Sequence, residues 1–293
     1  MGPLICGVDF SEHSLRALTL AFAMAARLDV PLKVVTVIDP LLAEAGEPEF
    51  GPGRILGDAQ RDLNVLVASV VDAASMSAAS VASLGAVGAP APALLRVAST
   101  EHGSIIVVGT QGVGWARRLW FGSTTVRLLR SAAFPVLAVP APDDDTIDPA
   151  SLPHLGFDRV LCGVDFGHAS MAAARMAATL SSQLSLPLTL MHVVAPTQVK
   201  DVWTGVATSV LNRAVEESME KLDALGAGLN TPVKKTEVKT GEPAEILVDD
   251  AATGARALVV IGLGSVESHA RPGATSSLII SHSKAPVLVV PET

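Results

Sequence analysis

Three glycines and two hydroxyls carry the chemistry that stands out in this chain. Gly109 and Gly112 are spaced G-x-x-G, and after nine intervening residues Gly122-Ser123-Thr124 places two hydroxyl side chains behind a third glycine. The stretch opens on an apolar run, Ile105 to Val108, that reads as a buried strand, and it leads into a helical pattern starting at Ser123. Glycine lets backbone N–H groups approach a ligand, and a helix N-terminus presents unpaired donors and partial positive charge. Such a combination binds anions, phosphate above all. In open α/β sheets, ligands sit beyond the carboxyl ends of strands, which is where this loop departs.

The elements that must position the loop are written twice. Leu4-Ile5-Cys6-Gly7-Val8-Asp9-Phe10 recurs as Val160-Leu161-Cys162-Gly163-Val164-Asp165-Phe166, an offset of 156 residues. Pro31-Leu32 recurs as Pro187-Leu188 at the same offset, and Gly88-Ala89-Pro90-Ala91 is matched by Gly241-Glu242-Pro243-Ala244. The 293 residues are therefore a duplication, each half long enough to bury its own core.

Within the first half, strands are expected at Leu4–Val8, Leu32–Ile38, Val81–Val87, Ile105–Val108 and Val136–Val139. Helices are expected from Ser11, as N-cap, to Arg27, from Leu56 to Ala74, from Pro92 to Thr100 and from Ser123 onward. Asp39 to Gly53, acidic and glycine-rich, reads as a loop. The second half repeats the order. Alternating strands and helices predict parallel, helix-covered sheets in a doubly wound α/β arrangement. The proline-rich segment 141–156, with Asp143-Asp144-Asp145, reads as the linker between domains 1–140 and 157–293.

Composition narrows the function. A net charge of −8 argues against a broad nucleic-acid footprint, and no apolar helical run is long enough to span a bilayer. Cys6 and Cys162, both in apolar strands, are too few for a metal cage or disulfide framework. No Walker lysine follows the glycines, and the first strand's turn lacks a dinucleotide G-x-G-x-x-G. His192 reads as a satisfied core histidine, and Asp249-Asp250 as solvated loop or helix surface. No catalytic set and no metal-ligand set is visible, and the chain is expected to be cytoplasmic.

The spacing G-x2-G-x9-G-[ST], on its strand and helix and in a duplicated chain, resembles the ATP-binding signature of the universal stress protein family. The resemblance spans nearly all residues as two tandem copies. It implies five-stranded parallel sheets of the adenine nucleotide α-hydrolase-like kind, and ATP, with or without Mg2+, in the first copy. Val8 and Asp9 would then face base and ribose, and Val37 would hydrogen-bond the adenine through its backbone. Val108 and Gly109 would flank the nucleoside, with Gly112, Gly122, Ser123 and Thr124 on the phosphates. Asp9 has a second reading, as a carboxylate that favours the start of the first helix.

The second copy departs from the pattern. Ser265 stands where the first copy has Gly112, Gly273 is followed by Ala274 rather than a hydroxyl, and Glu267 and Pro272 enter the loop. It is expected to have lost ATP binding. Short strands fenced by prolines, Pro135–Pro140 and Pro286–Pro291, suggest that the copies pack as an internal pseudo-dimer, as single-domain family members do through their last strand. The resulting expectation is a stress-response regulator that binds ATP and an unidentified protein partner, with a homodimer left open and at most slow ATP hydrolysis or self-phosphorylation at Ser123 or Thr124. The alternative is an interaction scaffold with degenerate sites.

Overall fold

The computed structural model describes residues 1–74, 80–110, 122–131, 133–140, 155–195, 204–264 and 273–292. It divides into two compact units, Met1–Gly156 and Phe157–Thr293. Most of the segment read as a linker, 141–154, lies outside the described residues, as do Gly112 and all of 111–121.

Unit 1 runs β1 (Leu4–Val8), α1 (Glu12–Leu28), β2 (Leu32–Ile38), α2 (Pro40–Phe50), α3 (Arg54–Ala74), β3 (Val81–Val87), α4 (Pro90–Ser99), β4 (Ile105–Gly109), α5 (Ser123–Ser131) and β5 (Val136–Val139). Its strands pair in parallel in the order β3-β2-β1-β4-β5. Leu4, Ile5, Ile105 and Ile106 are fully buried because helices cover both faces of the central strands. Burying each such side chain stabilises the unit by about 1.5–3 kcal/mol. The order reverses between β1 and β4, which creates a crevice at their carboxyl ends.

Local chemistry explains the boundaries. Ser11 caps α1, its side chain accepting from Ser14 N–H, and Asp29 ends the helix in the left-handed conformation. α4 starts at Pro90 rather than Pro92, since proline is well suited to the first helical position. The segment Asp39 to Gly53, expected to be a loop, contains α2. Asp39 Oδ1 accepts from Leu41 N–H at 2.8 Å, and Leu41-Leu42-Ala43-Glu44-Ala45 is a run of good helix formers. Gly46 and Pro48 misled the reading.

The outer strand β3 is managed by α3. Gln60 Oε1 accepts the Gly85 N–H at 2.6 Å, and Ser83 donates to Asn64 at 2.5 Å. This edge therefore offers less free backbone to an incoming strand.

Unit 2 repeats the plan with β6 (Arg159–Gly163), α6 (His168–Leu184), β7 (Leu188–Val194), α7 (Thr204–Gly228), β8 (Val233–Thr240), α8 (Pro243–Ala252), β9 (Ala257–Gly262), α9 (Ala274–His282) and β10 (Val287–Val290). Its order, β10-β9-β6-β7-β8, mirrors unit 1 and its pairings are all parallel. Asp250, expected on a solvated surface, instead joins an ion network. It accepts from Lys239 Nζ at 2.7 Å and Arg159 Nη1 at 2.8 Å, while Arg159 also donates to the Asp250 and Ala255 carbonyls. The network ties the start of β6 and the end of β8 to α8, and adjacent aspartates in sequence give no hint of it.

Burial pushes the Asp250 carboxyl up, but its bonds and charge contacts with Lys239 and Arg159 outweigh that and hold it below the usual carboxylate range. Its contribution is therefore complete above about pH 4 and is lost as pH falls through the lowered folded value. We expect Asp250→Ala to cost about 2 kcal/mol at neutral pH, read by urea titration, and Asp250→Asn to flatten the acid limb of stability.

Candidate functional site

The crevice at the β1/β4 switch point is a cleft of about 170 Å3. Val8, Asp9, Val37, Val108, Gly109, Gly122, Ser123 and Thr124 all line it. Eight sequence-identified residues from β1, β2, β4 and the α5 entrance thus meet in one place. Gly112 lies outside the described residues, as do the loop residues Trp115, Arg117, Arg118, Trp120 and Phe121. Sequence reading missed Gly7, Ser14, Val35, Pro90, Leu94 and Thr125, which complete the walls. Val35 was signalled by alternation with Val37; Pro90 and Leu94 needed the position of α4.

Gly109 has a packing role that its place in a glycine motif did not suggest. A Cβ there would lie 2.8 Å from the His13 backbone carbonyl carbon and oxygen. The first turn of α1 rests on the end of β4, and only glycine permits that approach. Unit 2 repeats the contact, a Cβ on Gly262 falling 2.5 Å from Ser170 N. The first glycine of the motif thus supports the scaffold in both units.

At the other end of the motif, Gly122 N–H donates to Thr110 O at 2.6 Å, which brings the chain back to the point it left. That N–H is thereby engaged by the backbone, while Gly122 itself lines the cleft. Thr125 Oγ1 donates to Gly109 O at 3.2 Å and pins the first turn of α5 to the end of β4. The helix's own ladder begins with Val126 N–H to Gly122 O, so the N–H groups of Ser123, Thr124 and Thr125 precede it. Those groups and the Ser123 and Thr124 hydroxyls form the anion-directed end of the cleft. Val8, Val35, Val37 and Leu94 form its apolar end.

Asp9, which also lines the cleft, serves a turn. Its Oδ1 accepts from Ser11 N–H at 3.1 Å and Ser11 Oγ at 2.5 Å, while Asp9 N–H donates to Ser14 Oγ at 3.2 Å. These bonds hold Phe10 at φ 62°, a left-handed backbone that such a residue seldom adopts. Unit 2 keeps the turn: Gly167 N–H donates to Asp165 Oδ1 at 2.8 Å, Asp165 N–H to Ser170 Oγ at 3.2 Å, and Phe166 has φ 64°. The recurrence of the aspartate therefore has a structural cause, alongside its place in the cleft.

In unit 2, α9 starts at Ala274 with Gly273 as N-cap and no side-chain capping bond. Ser276 donates to Gly262 O at 3.2 Å, as Thr125 does to Gly109, so the pin persists where the two preceding hydroxyls are reduced to Thr275. His192 Nδ1 lies 2.6 Å from Val164 O and its ring lies tilted against Phe166, centroids 4.7 Å apart, which satisfies it within the fold. Ser265, Glu267 and Pro272 lie outside the described residues. Cys6 and Cys162 are fully buried, and burial pushes both thiols up, Cys162 to about 12, so neither is a nucleophile at neutral pH. Among the described residues no cluster of three metal-ligating side chains occurs, and no helix is long and apolar enough to cross a membrane.

Two doubly wound units with a cleft at the first switch point define the class of protein. The Universal stress protein family model matches residues 1–140 and again 156–291, and the chain belongs to that family as a tandem of two domains. A universal stress protein of Mycobacterium tuberculosis is 28% identical over 298 residues, covering 99% of this chain and 96% of the relative. One from Thermus aquaticus is 32% identical over 141 residues, covering 46% of this chain and 96% of its own length. In fold, the chain is similar to a universal stress protein from Archaeoglobus fulgidus, with a TM-score of 0.60 at 18% identity, covering 99% of this chain and 98% of that one.

The packing role of the motif's first glycine gives a direct expectation. Gly109→Ala and Gly262→Ala should each destabilise by about 1–3 kcal/mol in urea titrations without any nucleotide. A Gly109→Ala protein as stable as the wild type contradicts that role.

Proposed function

We propose that unit 1 binds ATP and that the chain acts in the cytosol as a nucleotide-dependent stress regulator. The observation that carries this reading is the two-ended cleft. Apolar walls from Val8, Val35, Val37 and Leu94 suit a purine, and the start of α5 with Ser123 and Thr124 suits phosphates. The donor set fits the nucleotide: hydroxyls and N–H groups at a helix N-terminus, with Asp9 as the one carboxylate among the lining residues. Any Mg2+ would ride on phosphate oxygens, since Asp9 alone is too little for a protein-held site.

Bound ATP would supply a phosphate charge that, among the described residues, the α5 end of the cleft suits. Ser123 and Thr124 would hold it, Val37 would orient the base, and Asp9 would face the ribose. Regulation of this kind works by population shift, ATP favouring whichever arrangement of the cleft walls contacts it better. Unit 2 is read as structural, because its helix α9 opens on Ala274 and offers no capping side chain.

The hydroxyls separate phosphate recognition from base recognition. In calorimetric titrations, Ser123→Ala/Thr124→Val should weaken ATP at least tenfold, which is about the effect of losing even one hydrogen bond to a charged group. Adenosine, which lacks the phosphates, should bind that variant as it binds the wild type. An unchanged ATP affinity, or a folded wild type that binds no ATP, overturns the reading.

A further inference from the structure

A groove of about 460 Å3 lies between β3 and α4, lined by Ala82, Leu84, Ala86 and Val97 together with Lys33 and Arg96. By parallel register, Ala82, Leu84 and Ala86 stand beside Lys33, Val35 and Val37 of β2. α4 separates this groove from the cleft, with Pro90 and Leu94 on the cleft side and Val97 and Arg96 on the groove side.

The duplicate copy carries charged, ion-paired side chains at the corresponding positions. Gly88 and Gly241 have φ 145° and 148° and donate to Ile38 O at 3.0 Å and Val194 O at 3.1 Å, so the two copies align there. Ala82, Leu84 and Ala86 then correspond to Lys235, Glu237 and Lys239, and Val97 to Asp250. In unit 2 those positions are ion-paired, Lys235 with Glu237 at 2.5 Å and Lys239 with Asp250 at 2.7 Å. In unit 1 the same surface is apolar, and Leu84 is 45% exposed. Identical backbone plans with opposite surface chemistry mark the apolar one as a contact surface. Gln60 engages the Gly85 N–H, so side chains rather than strand addition make that contact.

The chain itself carries a matching element. On α2, Leu41 is 75% and Leu42 55% exposed. Helical spacing sets Leu41, Leu42, Ala45 and Glu49 on one side, and all four are exposed. Glu44 and Glu49 pair with no cation among the described residues, and exposed Arg96 pairs with no carboxylate among them. Lys33 is held by Glu101. Two grooves face to face would oppose Arg96 to Arg96, whereas α2 brings leucines and carboxylates to a groove that has apolar walls and a cation.

We propose that two copies of this chain associate reciprocally, the α2 of each seated in the β3–α4 groove of the other. Such an exchange is self-complementary, each residue contact occurring twice about a two-fold axis. It requires no nucleotide, so its test is independent of ATP binding.

Sedimentation velocity without nucleotide, over a range of protein concentrations, tests the exchange. The wild type should show a reversible monomer–dimer equilibrium, and Leu41→Glu and Leu84→Glu should each raise its dissociation constant at least tenfold. Both side chains are exposed, and thermal melts will establish that the variants fold. Val210→Glu, on an exposed position of α7, should leave association unchanged. Mixing the Leu41→Glu and Leu84→Glu proteins should recover part of the association, because one intact helix then meets one intact groove. A wild type that stays monomeric overturns the proposal and leaves the groove to a different protein. Association untouched by either variant, or no recovery on mixing, overturns it equally.

Discussion

The contact on which each unit depends is the first turn of α1 against the last residue of β4. With a Cβ at Gly109 placed 2.8 Å from the His13 backbone, no side chain fits between the two elements. The close approach brings α1 to the carboxyl edge of the sheet and fixes where the chain leaves β4. Thr125 then ties α5 back to the same carbonyl, Gly109 O. The cleft exists because two helices, α1 and α5, are held to one residue of β4 at the point where strand order reverses. Unit 2 preserves the arrangement through Gly262 and Ser276 while its helix α9 opens without the paired hydroxyls of Ser123 and Thr124.

Duplication makes the chain its own control. Features kept in both units, among them the aspartate turn that holds Phe10 and Phe166 left-handed, belong to the scaffold. Features found in one unit alone report what that unit does. Unit 1 has the Ser123–Thr124 helix start and the uncharged β3 face; unit 2 has Lys239, Asp250 and Arg159 joined across the equivalent strand and helix. The residues on which the proposed ligand and partner contacts rest thus lie in the first half.

Much of this was legible in the sequence. The heptapeptide repeat at Leu4 and Val160 gave the duplication, and apolar runs between turn residues gave the strands, because buried parallel strands write themselves as continuous Val, Ile and Leu. Gly122, Ser123 and Thr124 were legible because glycine and hydroxyl spacing is a local pattern, whereas Val8, Asp9, Val37 and Val108 were named through the family resemblance. What stayed hidden depended on contacts far apart in the chain. The packing role of Gly109 stayed hidden because nothing near it in sequence announces His13 overhead. Asp250 looked solvated because Arg159 lies ninety-one positions away and Lys239 on another element. α2 was misread for the opposite reason: Gly46 and Pro48 are strong local signals, and good helix formers with an Asp39 cap outweighed them.

The most direct test of the central claim is the stoichiometry of ATP in a calorimetric titration of the full chain, with Gly122→Val and Gly273→Val beside it. A valine at 122 would add bulk to a residue that lines the cleft at the start of α5, whereas Gly273, where a Cβ meets nothing within 4 Å, gives the matching change at α9. One site per chain, abolished by Gly122→Val and kept by Gly273→Val, is the predicted result. Two sites, or a single site that survives Gly122→Val and vanishes with Gly273→Val, would contradict it.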